Sequence, residues 1–205
     1  MTARLSLALL LVAATSLAAQ ENQRPASWKV RYDRPGADTA KLSFVTMTPG
    51  WHVTTGSNAA IMYDPATTAK GNFTAESMIH LFKPESSHPE AYGIFVGGKD
   101  LEGAGQSYVY FLLRTDGKYL VKQRTGATTK EVVPPTASPA VKPYEAGKSS
   151  VPNTLAVAAG AQTVDFLING TKVASRPRAE LPVDGIVGLR ANHQINIHVQ
   201  TLVVK

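Results

Sequence analysis

Cysteine is absent from the chain of 205 residues. Its absence excludes disulfides and the usual cysteine-containing zinc clusters, so the fold depends on its hydrophobic core. Catalytic motifs are missing as well: the sequence has no Gly-x-Ser-x-Gly nucleophile elbow, no complete Gly-x-x-x-x-Gly-Lys-Ser/Thr phosphate loop and no His-Glu-x-x-His metal motif. The sequence therefore does not identify a reaction.

Basic side chains outnumber acidic ones, giving a formal net charge of +6, but they are not concentrated in one tract. One group lies between Lys118 and Lys130 near a predicted hairpin, and Arg176 and Arg178 lie in a separate turn. No helix-turn-helix pattern and no tract of mixed aromatic and basic residues accompanies them. Scattered charge of this kind is typical of a solvated surface, so we predict no nucleic-acid partner.

The one long apolar run lies at the beginning of the chain. Arg4 precedes the apolar segment 5–14, and the small residues of 16–19 follow it. This order is typical of a secretory signal peptide, which we place at residues 1–19, with cleavage after Ala18 or Ala19. No later segment approaches the roughly 20 apolar residues that a bilayer span requires. We therefore expect a bacterial protein, periplasmic or secreted, with no membrane span in the mature chain.

From residue 20 to residue 205, short alternating apolar runs separated by turn residues predict a single all-β domain. Asn169-Gly170 is the pair that a type I′ hairpin requires, and Asp116-Gly117 and Asp184-Gly185 are further turn signals. So many strands without a helical period predict a two-sheet antiparallel β-sandwich. Strands are expected near 28–32, 42–46, 51–54, 60–63, 73–82, 91–96, 107–114, 119–124, 153–158, 162–169, 171–176, 185–191 and 195–204.

Residues 132–152 interrupt this pattern with five prolines. Proline removes a donor from the strand ladder, so the segment is predicted to be a long surface loop or a sheet edge. Such a loop either lines a binding cleft or crosses between the two sheets.

The predicted strand 107–114 gives the clearest candidate for ligand binding. Alternation places Val109, Phe111 and Leu113 toward the core, and places Tyr108, Tyr110, Leu112 and Arg114 on the opposite face, which we expect to be exposed. Tyrosine rings can stack on the CH groups of a sugar, and arginine offers a planar set of donors. Tyr92, on the preceding strand, is a further candidate for this face. Alternatively, the tyrosines pack against neighbouring strands or beneath the proline-rich segment.

Acidic residues offer weaker candidates. Asp100 and Glu102, in a glycine-rich loop, could act as an acid and base pair or as oxygen ligands for calcium, and Glu76 is a third carboxylate. The loop lacks the ligand spacing of a calcium-binding hand, so calcium is not supported by a motif and no cofactor is predicted. The alternative is that the loop is only a flexible hairpin connection.

The histidines show no metal-ligand spacing, so no metal site is predicted from the sequence. Ligation by residues remote in sequence stays open. His193 lies in the turn between the last two strands, where a sandwich often places its binding loops.

Two segments near the end of the chain resemble a known superfamily. Residues 185–193 (Gly-Ile-Val-Gly-Leu-Arg-Ala-Asn-His) and 195–204 are similar to the closing strands of concanavalin A-like lectin/glucanase domains. The similarity is closest to the bacterial 3-keto-disaccharide hydrolase-like branch and to laminin G-like modules. Segments 91–98 and 153–170 match the expected order of strands and hairpin. The resemblance extends over residues 51–205 and implies a jelly-roll sandwich.

The sequence departs from the enzymes of that superfamily. The Glu-x-Asp-x-x-Glu strand of the β-glucanases is absent, Arg190 stands where the keto-disaccharide branch has glutamine, and no glycine follows His193. We therefore predict an exported, non-catalytic module that binds carbohydrate or another small polar ligand. The expected ligand-binding residues are Tyr92, Tyr108, Tyr110, Arg114, Arg190 and His193. The alternatives are a glycoside hydrolase or lyase using Asp100, Glu102 or Glu76, and a structural or interaction domain of the cell envelope.

Overall fold

The computed structural model describes residues 23–34, 41–85 and 87–205 and contains two seven-stranded antiparallel sheets. The predicted signal peptide lies outside the described residues. The strands are β1 Lys29–Tyr32, β2 Ser43–Thr46, β3 Trp51–Thr54, β4 Ala60–Ala69, β5 Phe73–Phe82, β6 Ala91–Lys99, β7 Ser107–Arg114, β8 Lys118–Thr125, β9 Thr128–Ala137, β10 Ser150–Ala159, β11 Thr163–Ile168, β12 Thr171–Pro177, β13 Gly185–Ala191 and β14 Asn196–Val204.

The predicted all-β sandwich is confirmed. One sheet, here the front sheet, has the order β1-β4-β13-β6-β7-β8-β9, and the other, the back sheet, has the order β12-β11-β10-β5-β14-β3-β2. Strands distant in sequence are neighbours in both sheets, as in a jelly roll. In the part of the chain that is described, no helix is both long and apolar enough to cross a bilayer.

The predicted hairpins form at their turn residues. Asn169 and Gly170 have φ angles of 50° and 81° and join β11 to β12, as a type I′ turn demands. Gly117 has a φ of 80° between β7 and β8. These turns set the strand register and so decide which side chains face the core.

The loop within the proline-rich segment 132–152 is shorter than predicted. Residues 132–137 belong to β9, an edge strand of the front sheet, and 150–152 belong to β10 in the back sheet. The connection proper, 138–149, therefore crosses between the sheets. The expected alternative of a sheet edge therefore holds for residues 132–137. Strand β9 tolerates Pro134 and Pro135 because an edge strand needs ladder donors on one side only.

The main core lies between the sheets and follows the predicted alternation. Val109, Phe111 and Leu113 of β7 are at most 1% exposed and pack in this core with residues from the back sheet, including Leu155 and Phe166. Each fully buried side chain of this size contributes roughly 1.5–3 kcal/mol to folding. The core thus accounts for stability in a chain without disulfides.

A second buried cluster lies on the outer face of the front sheet. Its aromatic members are Tyr63, Phe95, Tyr108 and Tyr110, all at most 5% exposed. Their ring centroids are separated by 6.3 Å, 5.2 Å and 5.7 Å in that order, the spacing of favourable aromatic pairs. Leu101, from the loop after β6, packs in the same cluster. The outer face is therefore a covered layer, not an open platform.

Candidate functional site

The candidate site lies at one end of the front sheet, where β1 and β13 finish and β4 and β6 begin. The strand register brings these ends together, because Ala60 pairs with Tyr32 and with Ala191, and Ala191 pairs with Tyr92. The loops that leave this end consequently converge on one region. We name it the sheet-end site.

Its central feature is a bidentate ion pair between Arg190 of β13 and Asp33, the residue that follows β1. The Arg190 Nη1 atom donates to Asp33 Oδ1 at 2.9 Å, and Nη2 donates to Oδ2 at 2.6 Å. The Arg190 side chain is only 6% exposed and that of Asp33 25% exposed. Arg124 lies at 3.7 Å from Asp33 Oδ2 and adds a second positive charge.

Both partners are held in their charged forms. Burial opposes ionisation of Asp33, but the hydrogen bonds from Arg190 and the charges of Arg190, Arg124 and Arg31 outweigh it and lower the pKa of this carboxyl. Burial likewise disfavours the charged Arg190, but the hydrogen bond to Asp33 raises its pKa above the ordinary value. The pair is therefore a permanent dipole at the end of the sheet.

Two tyrosines of the outer face support the guanidinium. Arg190 Nη1 donates to the hydroxyl oxygen of Tyr108 at 3.1 Å, and its Cζ lies 4.7 Å from the centroid of the Tyr110 ring, a cation–π contact. Burial raises the pKa of both tyrosines, so both remain neutral. The Nε atom of Arg190 is buried and has no hydrogen-bond partner among the described residues.

A cavity of about 440 Å³ opens beside this ion pair. The side chains around it provide carboxylate, amide, hydroxyl, imidazole and guanidinium groups, and large apolar side chains do not line it. Such a lining suits a ligand with many hydroxyl groups. The lining residues are Asp33, Arg34, Ser57, Asn58, Ala59, Arg190, Asn192 and His193.

Thr55 fixes the turn that carries Asn192 and His193. Its Oγ1 donates to the carbonyl oxygen of Asn192 at 2.5 Å and accepts from the backbone N–H of Ile195 at 2.9 Å. Gln194, inside the turn, has a φ of 54° and donates its N–H to the carbonyl of Gly56. Because Thr55 is buried, these hydrogen bonds hold the turn against the connection between β3 and β4.

A second polar cluster lies next to the cavity. Glu90, which precedes β6, is 2% exposed, and its Oε1 is 2.8 Å from His88 Nδ1 and 2.9 Å from His193 Nε2. Ligand atoms of these three residues lie within 4.8 Å of one another. His193 thus belongs both to this cluster and to the lining of the cavity.

The structure brings together only some of the predicted ligand-binding residues. Arg190, Tyr108 and Tyr110 are in direct contact, and His193 lines the same cavity as Arg190. The expectation that the two tyrosines are exposed to solvent is wrong, since Tyr108 is 0% and Tyr110 5% exposed. They pack in the outer-face cluster and contact the guanidinium of Arg190.

Tyr92 and Arg114 lie elsewhere. The expectation that Tyr92 shares the face of Tyr108 is wrong, because Tyr92 pairs with Leu113 and points into the main core, where its hydroxyl bonds to Asn153. Arg114 forms a bidentate pair with Asp116 in the β7–β8 turn, at 3.0 Å and 2.7 Å. Neither residue lines the cavity at the sheet-end site.

Each of the three candidate acidic residues has a partner within the protein. Asp100 has a φ of 48° and accepts the N–H of Gly105 through Oδ2, as a turn-forming residue does. Glu102 is exposed and forms an ion pair with Lys29. Glu76 lies on β5 in the back sheet and accepts from Lys205. A catalytic role for any of them stays a prediction.

Asp33, Glu90, His88, Asn58 and Asn192 were not singled out from the sequence. The partners Arg190 and Asp33 are 157 positions apart, so no local spacing relates them. One local signal did exist: His88 and Glu90 lie two positions apart on either side of Pro89, which disfavours helical backbone at His88. Without the position of His193, that signal does not distinguish a site from a turn.

Comparison with known proteins identifies the fold of this chain. No family model matches the chain, and no curated protein matches its sequence. Solved structures do resemble it, including the carbohydrate binding module CBM66 from Bacillus subtilis, with a TM-score of 0.63 and 9% identity over 87% of this chain and 95% of that one. A glycoside hydrolase family 16 endo-glucanase from Bacteroides ovatus gives a TM-score of 0.60 and 9% identity over 90% and 97%.

A protein with a galectin-like fold from Bacillus subtilis gives a TM-score of 0.58 and 11% identity over 90% of this chain and 93% of that one. The chain therefore has the concanavalin A-like jelly-roll fold. At these identities the likeness concerns the fold, and binding modules and enzymes both appear among the similar structures. The finer resemblance to the 3-keto-disaccharide hydrolase-like branch stays a prediction.

Proposed function

We propose that this protein is an exported, non-catalytic carbohydrate-binding domain whose ligand occupies the cavity at the sheet-end site. The observation that carries the proposal is the cavity of about 440 Å³ built against the Arg190–Asp33 ion pair. Its volume falls in the range of small-molecule sites. The ligand class is supported by the fold, since structures with this fold include a carbohydrate binding module and a galectin.

The hydrogen-bonding groups of the cavity match the needs of a sugar. Asn58 and Asn192 each offer a donor and an acceptor on one side chain, Ser57 offers a hydroxyl, and Arg34 offers donors only. A sugar hydroxyl both donates and accepts, so mixed amide and hydroxyl groups bind it better than groups of one charge sign. The ion pair provides a fixed polar wall that does not need to reorganise on binding.

The carboxylate in the cavity is poorly suited to act as a general acid. Asp33 is held by two hydrogen bonds from Arg190, and its lowered pKa keeps it ionised, so it cannot donate a proton near neutral pH. Glycoside hydrolysis of the common kinds needs two carboxyl groups about 5–9.5 Å apart across the scissile bond. Of the predicted candidates, Glu76 lies in the other sheet. These observations favour binding without hydrolysis.

The alternative of an envelope interaction domain has less support. In the described ranges, the large apolar side chains that are exposed are Met47 and Val203, at 41% and 37%. A protein-interaction surface usually presents a broad apolar patch instead.

The proposal predicts that ligand affinity depends on the asparagines of the cavity. A glycan array, including neutral and acidic sugars, identifies a ligand, and calorimetry then measures its affinity for the purified protein. Asn58→Ala and Asn192→Ala should each weaken binding about fivefold, the equivalent of one hydrogen bond of about 1 kcal/mol. Asn72→Ala, at an exposed asparagine between β4 and β5, is the matched control and should leave the affinity unchanged.

Incubation of the ligand with the protein should also release no reducing sugar. Release of product would contradict the non-catalytic part of the proposal. An array without hits, or equal affinities for wild type, Asn58→Ala and Asn192→Ala, would contradict the assignment of the cavity.

Export is a separate part of the proposal and has its own experiment. Leu10→Arg interrupts the apolar segment 5–14, while Leu10→Ile preserves it. Expressed in a bacterial host, the wild type and Leu10→Ile should be recovered outside the cytoplasm, with an N-terminus at residue 19 or 20 by mass spectrometry. The Leu10→Arg protein should remain in the cytoplasm with its leader attached. A wild-type protein that keeps residues 1–19 would overturn the assignment.

A further inference from the structure

The cluster of His88, Glu90 and His193 has the composition of a transition-metal site. Two imidazoles and one carboxylate form the ligand set of many zinc sites that keep an open coordination position. The residues come from two separate places in the chain, the segment before β6 and the turn after β13. We propose that these three side chains bind one zinc ion, or another divalent transition metal of similar ligand preference.

Backbone hydrogen bonds fix the positions of Glu90 and of the turn that carries His193. The carbonyl of Glu90 accepts the N–H of Thr115, and the carbonyl of Ala91 accepts the N–H of Asn192. The second bond places His193 beside Glu90. Pro89 disfavours helical backbone at His88, and the His88 imidazole meets the Glu90 carboxylate across this proline at 2.8 Å.

The distances permit a metal with small side-chain movements. Zinc bonds of about 2.0–2.2 Å imply ligand–ligand separations of about 3.4 Å in a tetrahedral site. The carboxylate oxygen of Glu90 now lies 2.8 Å and 2.9 Å from the two imidazole nitrogens, and the three ligand atoms lie within 4.8 Å of one another. The His88 and His193 side chains are 70% and 46% exposed, so they can shift by fractions of an ångström without disturbing the core.

The burial of the negatively charged Glu90 carboxylate also favours a bound cation at this cluster. This side chain is 2% exposed, and its Oε2 atom is buried without a hydrogen-bond partner among the described residues. A buried carboxylate oxygen without a partner carries a large desolvation cost, which a bound cation would offset. Because two of the three ligands are nitrogen, the site favours zinc, copper or nickel over calcium or magnesium.

The test is a zinc titration of the tag-free, chelator-stripped protein against a fluorescent zinc indicator. We expect one zinc ion per chain, and a loss of affinity of at least tenfold in His88→Ala, His193→Ala and Glu90→Gln. His88→Ala removes an exposed side chain, so it tests the site even if Glu90→Gln fails to fold. Cobalt binding followed by visible absorption gives a readout of the coordination geometry.

A second group of histidines supplies the matched control. His80 and His198 lie on neighbouring strands of the back sheet, with ring centroids 6.0 Å apart. His80→Ala should leave zinc affinity unchanged. The absence of one-to-one zinc binding, or equal binding by His88→Ala, His193→Ala and wild type, would overturn the proposal and leave only a hydrogen-bonded cluster. His193 belongs to both sites, whereas His88 does not line the cavity and Asn58 and Asn192 are not zinc ligands in this scheme, so His88→Ala tests zinc binding separately from the sugar.

Discussion

Asp33→Asn is expected to lower the free energy of unfolding by about 3 kcal/mol, because it leaves the charge of Arg190 buried without its counter-ion. The guanidinium would retain the Tyr108 hydroxyl, the Tyr110 ring and the one amide oxygen of the new side chain, but no negative charge among the described contacts would balance it as Asp33 does. Denaturant unfolding of the wild type and the variant measures the difference. The loss should exceed that of most surface substitutions.

The matched control is Asp116→Asn, which removes the charge from an equally bidentate pair. Arg114 and Asp116 are 21% and 30% exposed, so the surrounding water compensates for the loss. We expect this variant to lower the free energy of unfolding by less than about 1 kcal/mol. The comparison separates the effect of burial from the effect of pair geometry.

The double variant Asp33→Asn/Arg190→Met should be more stable than Asp33→Asn alone, because methionine removes the uncompensated charge while preserving much of the packing volume. Additive losses from the two single substitutions would contradict the coupling.

The sign of the pH dependence of stability follows from the lowered pKa of Asp33. The stabilisation is present above the unfolded-state pKa of about 3.9 and is lost as the pH falls through the lower folded-state value. The deficit of Asp33→Asn should therefore be full at pH 5 and shrink in stronger acid.

Asn169→Ala is expected to lower the free energy of unfolding by about 3 kcal/mol through two separate effects. Alanine at a φ of 50° loses about 1 kcal/mol of backbone preference. The substitution also removes hydrogen bonds that the side chain makes to Thr154 N–H at 2.9 Å, to the carbonyl of Ala140 at 2.8 Å and to Asn153 Oδ1 at 2.9 Å. Each contributes about 0.5–1.5 kcal/mol.

Asn169→Gly separates the two effects, because glycine accepts the positive φ but makes no side-chain bonds. It should cost about 1 kcal/mol less than Asn169→Ala. Both variants should release the connection 138–149, whose residue Lys142 is held by Asn153 at 3.0 Å and 2.9 Å. Tryptic cleavage at Lys148, which is exposed, reports that release. Resistance to trypsin with a stability loss below 1 kcal/mol in both variants would show that the asparagines do not anchor the connection.

The strands and turns could be predicted from the sequence because their signals are local. Alternation within 107–114 correctly separated Val109, Phe111 and Leu113 from the tyrosines, and Asn169-Gly170 marked its hairpin. The burial of the outer face of the front sheet could not be predicted from local signals. Its burial depends on Arg190 and on the loop that carries Leu101, whose positions follow from long-range pairing.

The failure for Tyr92 has a different physical cause. Alternation within a strand gives relative faces only, and the pairing of Tyr92 with Leu113 decides which face points inward. The candidate site was even harder to predict from local alternation. Its members Asp33, Glu90 and Arg190 meet because separate strand ends coincide at one end of the front sheet, which only the tertiary topology determines.

The most direct measurement of the central claim is the NMR signal of the Arg190 Nε–Hε group during titration with the sugar found on the array. This group is buried without a partner beside the cavity, so occupation of the cavity should shift its resonance in proportion to saturation. The corresponding signal of Arg114, which is bonded to Asp116, should stay fixed. A ligand that saturates the protein while leaving the Arg190 signal unchanged would contradict binding at the sheet-end site.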